Sequence, residues 1–130
     1  NEIKLQNHLI ILDDSYNSNP IAVKFAVEYC DKYYKNLKTL IVLGDMEELG
    51  QNSLSLHKET YDWVISQPIV HSLITFGKRF NSSPINFSQK EGLINYIFER
   101  IDQFDLILFK GSRSNQLDQA IEYLIELSTK

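Results

Sequence analysis

The sequence has little of what defines several whole classes of protein. Its single cysteine, Cys30, excludes an intramolecular disulfide and argues against a cysteine-ligated zinc site. No stretch approaches the roughly 20 apolar residues of a membrane span, and the first residues lack the basic and apolar regions of a signal peptide. No run of lysine or arginine exceeds two residues, which argues against a nucleic-acid surface. These absences are typical of a protein of the reducing cytoplasm.

What the sequence does contain describes one globular domain. Its 130 residues are 43% hydrophobic and 23% charged, with a net charge of −4, which is unlike a disordered chain. A chain of this length buries roughly two-thirds of its unfolded surface and needs no disulfide or metal to fold. An enzyme that joins two substrates usually needs more than one such domain, so catalytic motifs here would indicate part of a larger protein.

Apolar runs alternate with helical stripes along the chain. The predicted strands are His8–Asp13, Thr39–Leu43, Ile69–Phe76, Ile85–Phe87 and Leu106–Phe109. The predicted helices are Pro20–Tyr34, Ser53–Ser66, Gln89–Ile101 and Asn115–Leu127. This alternation with short connections predicts a three-layer α/β domain with a mostly parallel sheet and helices on both faces. Residues 1–7 are polar and unpatterned, and we interpret them as a linker from an upstream domain.

The spacing of apolar residues predicts the buried face of each helix. The predicted core positions are Ala22, Phe25, Ala26, Tyr29 and Tyr33, then Leu54, Tyr61, Val64 and Ile65, then Leu93, Ile94, Ile97 and Phe98, and finally Leu117, Ala120, Ile121 and Leu124. The predicted helix caps are Asn19, Ser53, Ser88 and Ser114.

The first polar segment follows the first predicted strand. Residues 13–20 read Asp-Asp-Ser-Tyr-Asn-Ser-Asn-Pro and lead into a helix. Ligands of open α/β sheets bind outside the carboxyl ends of the strands, where a carboxylate can accept hydrogen bonds from ribose hydroxyls. Helix capping explains the final Asn-Pro pair but leaves Asp14, Tyr16 and Asn17 unexplained, so these three are candidate ligand contacts.

The second segment follows the second predicted strand, where residues 43–50 read Leu-Gly-Asp-Met-Glu-Glu-Leu-Gly. A glycine at a strand end lets the backbone turn or approach a ligand closely. Asp45 is a candidate to hold a cation or to position a basic side chain. We interpret Glu47 and Glu48 as solvated loop surface and His57, in the following helix, as a packing or capping residue.

The third segment precedes the last predicted helix, where residues 109–114 read Phe-Lys-Gly-Ser-Arg-Ser. Lys110 offers a point charge, and Arg113 offers a two-pronged donor for a carboxylate or a phosphate. The helix N-terminus adds partial positive charge. The segment therefore predicts an anion site, and a plain surface loop capped by Ser114 is the alternative.

Taken together, the three segments resemble the C-terminal domain of the Mur ligases, and specifically of the type that handles D-Ala-D-Ala. The usual first motif is Asp-Asp-Ser-Tyr-Asn-Ala-Asn-Pro, so Ser18 is a conservative departure. The match spans nearly the whole chain in the right order, and three motifs together are specific where each alone is weak. The resemblance implies that residues 8–130 form a Rossmann-like C-terminal domain.

The resemblance also implies an ATP-dependent amide ligation in peptidoglycan precursor synthesis. In that reaction the carboxylate of UDP-N-acetylmuramoyl-tripeptide attacks the γ-phosphate of ATP, and the amine of D-Ala-D-Ala attacks the resulting acyl phosphate. An N-terminal domain would hold the UDP-sugar, and a central domain would hold ATP and most of the Mg²⁺ ligands. No Gly-x-x-x-x-Gly-Lys-Ser/Thr occurs in this chain, so we expect it to contribute neither metal ligands nor catalytic residues alone.

Positions that match the family's motifs carry its roles over to this sequence. The implied nucleotide-binding residues are Asp14, Tyr16, Asn17 and Asn19, with Asp14 on the ATP ribose. The implied substrate-binding residues are Asp45, Lys110, Ser112 and Arg113. The chemistry of the guanidinium makes Arg113 the candidate for the dipeptide carboxylate.

A phospho-receiver signalling domain is the main alternative, because it is also a parallel α/β unit of this size with acidic residues and a lysine at strand ends. The residues that mimic its order are Asp13, Asp14, Asp45, Thr75 and Lys110. Against it, Asp45 follows the second predicted strand, one βα unit too early for a receiver. A stand-alone nucleotide-binding module and the C-terminal domain of another Mur-type ligase are the remaining alternatives.

Overall fold

The computed structural model describes residues 1–129, in which strands alternate with helices as predicted. The strands are β1 (Glu2–Lys4), β2 (Ile10–Asp14), β3 (Thr39–Gly44), β4 (Val70–Phe76), β5 (Asn86–Phe87) and β6 (Leu106–Lys110). The helices are α1 (Pro20–Tyr33), α2 (Ser53–Ile65), α3 (Lys90–Glu99) and α4 (Leu117–Ser128). Short 3₁₀ turns occupy Gly50–Asn52, Lys78–Phe80, Ile101–Gln103 and Arg113–Asn115.

The strands form one sheet in the order β1-β2-β6-β3-β4-β5, in which β1 is antiparallel and the other neighbours are parallel. The last strand in sequence, β6, therefore lies between β2 and β3. In this register Lys110 is paired with Asp14 on one side and with Leu43 on the other. The insertion of β6 brings the ends of all three motif-bearing strands together.

The helices cover both faces of the sheet, which confirms the predicted three-layer α/β architecture. Helices α1 and α2 pack over one face, where Val23, Val27 and Val64 meet sheet residues such as Leu108. Helices α3 and α4 pack over the other face around buried sheet residues such as Phe109. Continuous apolar strands buried on both faces are what a central parallel sheet requires.

The strand β1 was not predicted, since its three residues lie in the segment interpreted as a linker. Glu2 pairs with Leu12 and Lys4 pairs with Ile10 at the edge of the sheet. The Tyr34 hydroxyl donates a hydrogen bond to the Glu2 carboxylate, and this bond raises the pKa of Tyr34 to about 12. Three residues with one apolar member are too short to give the alternation that marks a strand.

The predicted buried face of α1 is wrong in its three aromatic residues, whereas Ala26 is partly buried against the core as predicted. Phe25, Tyr29 and Tyr33 are 68%, 50% and 58% exposed, whereas Val23 and Val27 are buried against the sheet. The helix carries apolar residues around most of its circumference, so spacing alone could not choose between two stripes. The bulk of the aromatic stripe made it the stronger signal, but the valines fit more closely against the sheet.

The corrected face of α1 gives a direct test by substitution. Phe25→Ala is expected to change the free energy of unfolding by no more than about 0.5 kcal/mol, because the ring is already in water. Val27→Ala removes buried methyl groups and should cost about 1.5 kcal/mol or more. Urea unfolding of both variants provides the measurement, and a larger loss for Phe25→Ala would restore the predicted face.

The other helices agree with prediction to different degrees. All four predicted core positions of α4, and Leu93, Ile94 and Ile97 of α3, are buried, whereas Phe98 is exposed. Of the predicted core positions in α2, only Val64 is fully buried and Tyr61 is partly buried, while Leu54 and Ile65 face water. The predicted caps Ser53 and Ser88 are also wrong, because the cap positions are Asn52 and Gln89.

Candidate functional site

A cleft lies at the carboxyl edge of the sheet, where all three polar segments meet. The helices that follow β2 and β3 cover one face of the sheet, and the helix that follows β6 covers the other. Adjacent strands whose connections leave to opposite faces open a crevice at their carboxyl ends. The cleft measures about 600 Å³ and is lined by residues 16–19, 47–49 and 112–114.

The first loop is anchored at both of its ends. At its far end Asn19 accepts a hydrogen bond from the Ala22 N–H at 2.8 Å, which confirms it as the cap of α1, with Pro20 at the first helical position. At its near end the Asp13 carboxylate accepts from the Ser15 N–H at 3.1 Å. The residues between these anchors are thereby held over the crevice.

Lys110 supports the first loop from beneath. Its ammonium donates to the Asn17 carbonyl at 2.6 Å and lies 3.1 Å from the Asp14 carboxylate. The lysine side chain is 5% exposed and that of Asp14 is 51% exposed. The structure thus places Lys110 beside Asp14, the candidate for nucleotide binding. The Lys110 ammonium is neutralised by this carboxylate within the domain.

Asp45 positions a basic side chain, which is one of its two predicted roles. Its carboxylate accepts from the Arg79 backbone N–H at 3.1 Å and lies 3.4 Å from the Arg79 guanidinium. Burial raises the pKa of Asp45, and the bond from Arg79 N–H opposes that rise. The carboxylate faces the end of β4, and Asp45 does not line the cleft.

Gly77 makes this position of Asp45 possible. Its φ of +116° is a backbone conformation that favours glycine. A Cβ on Gly77 would lie 2.3 Å from the carboxyl carbon of Asp45, far inside van der Waals contact. The turn after β4 and the carboxylate after β3 therefore depend on the absence of a side chain here.

Glu47 links the second and third loops, so its interpretation as solvated surface is wrong. Its Oε1 accepts from the Ser114 hydroxyl at 2.7 Å and from the Arg79 guanidinium at 3.2 Å. Its backbone N–H donates to the Ser112 hydroxyl at 3.1 Å. The neighbouring Glu48 is exposed, as predicted.

Asn115 locks the same two loops together and was not predicted as a site residue. Its buried amide donates to the Asp45 carbonyl at 2.8 Å and to the Ser112 carbonyl at 3.1 Å. A Cβ on Gly44 or Gly111 would lie 2.7 or 3.0 Å from that amide nitrogen. The strand-end glycines thus make room for Asn115, and their matched positions were the signal that could have identified it.

Arg79, the shared partner of Asp45 and Glu47, was also missed. It follows β4 in a 3₁₀ turn, and no feature of its local sequence connects it with the loop after β3. Only the adjacency of β3 and β4 in the sheet brings it there.

The third loop presents one cation to the cleft. The Arg113 guanidinium lies 4.8 Å from the centre of the Tyr16 ring, a cation–π contact between the first and third loops. Ser112 of the same loop is buried. Ser114 does not cap α4 as predicted, because that cap position is Gln116 with a φ of +54°.

His57 is a packing residue, as predicted. Its Nε2 accepts from the Met46 N–H at 2.9 Å, and its Nδ1 lies 2.6 Å from the Ser53 carbonyl oxygen. This pair of contacts assigns the proton to Nδ1. The buried imidazole fastens the second loop to α2.

Ser18 is an exception among the buried polar groups of residues 1–129. The residue is 8% exposed, and its hydroxyl has no hydrogen-bond partner in that range. A buried hydroxyl without a partner costs about 1–3 kcal/mol. Ser18 lines the cleft, so this incomplete hydrogen bonding belongs to the site.

The strand order excludes the phospho-receiver alternative. Receivers of the flavodoxin-like type have the parallel order 2-1-3-4-5, whereas here the last parallel strand lies between the first and the second. Asp45 is moreover engaged by Arg79 and lies away from the cleft.

Metal-binding groups and membrane-spanning helices were both sought in the described part of the chain. Residues 1–129 hold no group of three or more His, Cys, Asp or Glu side chains that could bind a metal ion. None of their helices combines the length and apolar character needed to cross a membrane.

The mostly parallel sheet with helices on both faces defines an α/β domain of the Rossmann-like type. The family model described as "Mur ligase, glutamate ligase domain" matches residues 2–113. The chain belongs to the Mur ligase family, and it corresponds to the C-terminal domain of these proteins.

Relatives in both sequence and structure agree with this membership. The UDP-N-acetylmuramoyl-tripeptide--D-alanyl-D-alanine ligase of Bacillus subtilis is 32% identical over 95% of this chain, and its namesake from Rickettsia prowazekii is 34% identical over 93%. The chain spans only 30% and 28% of the length of those relatives. The MurF ligase from Thermotoga maritima in complex with ADP superposes with a TM-score of 0.81 at 24% identity, over 97% of this chain and 30% of that one.

Proposed function

We propose that this chain is the C-terminal domain of a cytoplasmic ligase that joins D-Ala-D-Ala to UDP-N-acetylmuramoyl-tripeptide at the expense of ATP. The observation that carries the proposal is the convergence of the three motif loops on one cleft, in a chain whose relatives bear that ligase's name. N-terminal and central domains of the same protein would supply the UDP-sugar site, the ATP phosphates and Mg²⁺.

Within this proposal the first loop serves the nucleotide. Asp14 accepts hydrogen bonds from the ATP ribose, because its carboxylate is half-exposed at the strand end and is held in place by Lys110. Tyr16, Asn17 and Asn19 line the adjoining wall of the cleft. Lys110 and Asp45 act by fixing the loops that carry these contacts.

The third loop serves the dipeptide in the proposed reaction. Arg113 offers a guanidinium fork to the D-Ala-D-Ala carboxylate, and Ser112 supports that loop through its bond to Glu47. Preorganised cations also stabilise the negative charge that develops during acyl-phosphate chemistry. The domain contributes binding and orientation, and we expect residues 1–130 alone to be inactive.

The test is phosphate release by the full-length protein supplied with ATP, UDP-N-acetylmuramoyl-tripeptide and D-Ala-D-Ala. Release should require all three substrates and should be absent with residues 1–130 alone. Release that ignores D-Ala-D-Ala but requires another amine would assign the chain to a different Mur-type ligase.

Asp14→Ala in the full-length ligase is expected to raise KM for ATP about 10- to 100-fold, because hydrogen bonds to a charged group contribute about 1.5–3 kcal/mol. KM for D-Ala-D-Ala should stay within about twofold. Steady-state kinetics provides the measurement. Asp31→Ala, on the exposed side of α1, is the matched control for lost charge, and an unaltered KM for ATP in Asp14→Ala would remove the ribose role.

A further inference from the structure

Glu47 has binding capacity that the contacts within the domain do not use. Both of its side-chain hydrogen bonds, from Ser114 and Arg79, go to Oε1, and Oε2 accepts none from residues 1–129. Its side chain is 37% exposed and lines the cleft. A carboxylate oxygen is therefore available to a ligand in that space.

The wall of the cleft carries a second, independent sign of a ligand site. The hydroxyl of Ser18, buried in the wall formed by the first loop, has no partner among residues 1–129. Buried polar groups are normally hydrogen-bonded, so an orphan in a cleft indicates a partner that arrives from outside. Ser18 and Glu47, the residues that carry the orphan hydroxyl and the free carboxylate oxygen, both line this space.

The charges of the cleft match a small zwitterion. Arg113 and Glu47 line one space of about 600 Å³. Their loops are joined by the bond that the Glu47 N–H donates to Ser112 and by the bond that the Ser114 hydroxyl donates to Glu47. A two-residue extended peptide spans about 7 Å between its termini, which this volume accommodates. A zwitterion would place its carboxylate at Arg113 and its ammonium at Glu47.

We propose that Glu47 binds the amino group of the incoming dipeptide, so that the ligase recognises its amine substrate at both ends. The inference rests on the proposed function, since it takes D-Ala-D-Ala as the ligand. Glu47 acts here as a binding residue: it holds the dipeptide nitrogen as an ammonium, which loses a proton to solvent before it attacks, while Arg113 fixes the opposite end. Its backbone tie to Ser112 makes the distance between the two anchors a property of the fold.

The test compares the dipeptide with an analogue that lacks only the amino group, propionyl-D-alanine, as a competitive inhibitor of the full-length ligase. Glu47→Gln should raise KM for D-Ala-D-Ala about tenfold or more, while Ki for propionyl-D-alanine and KM for ATP stay within about twofold. An equal rise for dipeptide and analogue would show that Glu47 acts only through the loop, and would overturn the proposal.

Two further variants separate binding from support of the loop. Arg79→Met removes a structural partner of Glu47 but leaves the negative charge of Glu47 in place. The ratio of Ki for the analogue to KM for the dipeptide should therefore match that of the wild type. A collapse of that ratio in Arg79→Met would contradict the proposal. Glu28→Gln, on the exposed side of α1, controls for charge.

Activity of the wild-type protein with D-Ala-D-Ala distinguishes failure of this inference from failure of the proposed function. Full-length protein that does not use D-Ala-D-Ala would overturn the proposed function and the dipeptide assignment with it. Turnover of D-Ala-D-Ala with an unchanged ratio in Glu47→Gln would overturn the role of Glu47 alone.

Discussion

A full-length ligase carrying Arg113→Ala is expected to lose about a hundredfold in kcat/KM for D-Ala-D-Ala. Truncating one member of a hydrogen-bonded charge pair at a binding site costs about 2–5 kcal/mol, and each 1.4 kcal/mol is tenfold. The guanidinium lies over the Tyr16 ring, so its position is set before any ligand binds. Arg113→Lys should recover only part of the loss, because an ammonium is a point charge without the planar fork.

Arg100→Ala is the matched control for this experiment. Arg100 also lies over an aromatic ring, 3.7 Å from the centre of Tyr96, but it follows α3 at the opposite edge of the sheet from the cleft. Its loss should leave kcat/KM for the dipeptide within about twofold. Initial-rate kinetics with varied dipeptide and saturating ATP decides between the two arginines, and equal losses would remove Arg113 from the proposed dipeptide site.

Gly77→Ala is expected to destabilise the chain by about 3–5 kcal/mol, a large part of the 5–15 kcal/mol that holds most domains folded. One part of the cost is the positive φ, about 1–2 kcal/mol for a residue with a Cβ. The larger part is the contact with Asp45, whose carboxyl carbon is 2.3 Å from the new Cβ. Relieving that contact breaks the bonds to Arg79 and leaves a buried carboxylate without partners.

Gly50→Ala isolates the conformational part of this cost. Gly50 has a φ of +72° and nothing within 4 Å of a built Cβ, so its substitution should cost only about 1–2 kcal/mol. Urea unfolding with an unchanged m-value gives the comparison. The two costs should also converge when Gly77→Ala is made in an Asp45→Ala background, because the clash is then gone. Equal costs in the native background would contradict the packing described here.

The sequence predicted those parts of the fold that depend on local pattern. The continuous apolar run of β6 predicts only a buried strand, and the single apolar stripe of α4 predicts only one buried face. Both predictions are confirmed. Helix α1 has two apolar stripes, and choosing between them requires knowledge of which one meets the sheet. The order of the strands likewise cannot be predicted from hydrophobic periodicity, because every parallel strand order gives the same alternation of strands and helices along the chain.

The candidate site divides in the same way. Its three loops were predictable, because each concentrates unusual polar residues at a strand end. The contacts among them were not, since Arg79 and Asn115 reach the second loop through strand adjacency and through glycines that leave space. The prediction for Glu47 was wrong for that reason: its acidic neighbourhood is typical of solvated surface, and its partners lie in the loops after β4 and β6.

The position of β6 has a consequence for folding during synthesis. The strand β6 is synthesised after both of its neighbours in the sheet. Until it emerges from the ribosome, β2 and β3 of the nascent chain each have an edge without a hydrogen-bonded neighbour. Such edges invite wrong pairing and aggregation. The same strand carries Lys110 and leads into Arg113, so the site and the sheet are completed together. A product that stops short of residue 106 has neither, so proteases that degrade unfolded chains would also remove chains that lack the complete cleft.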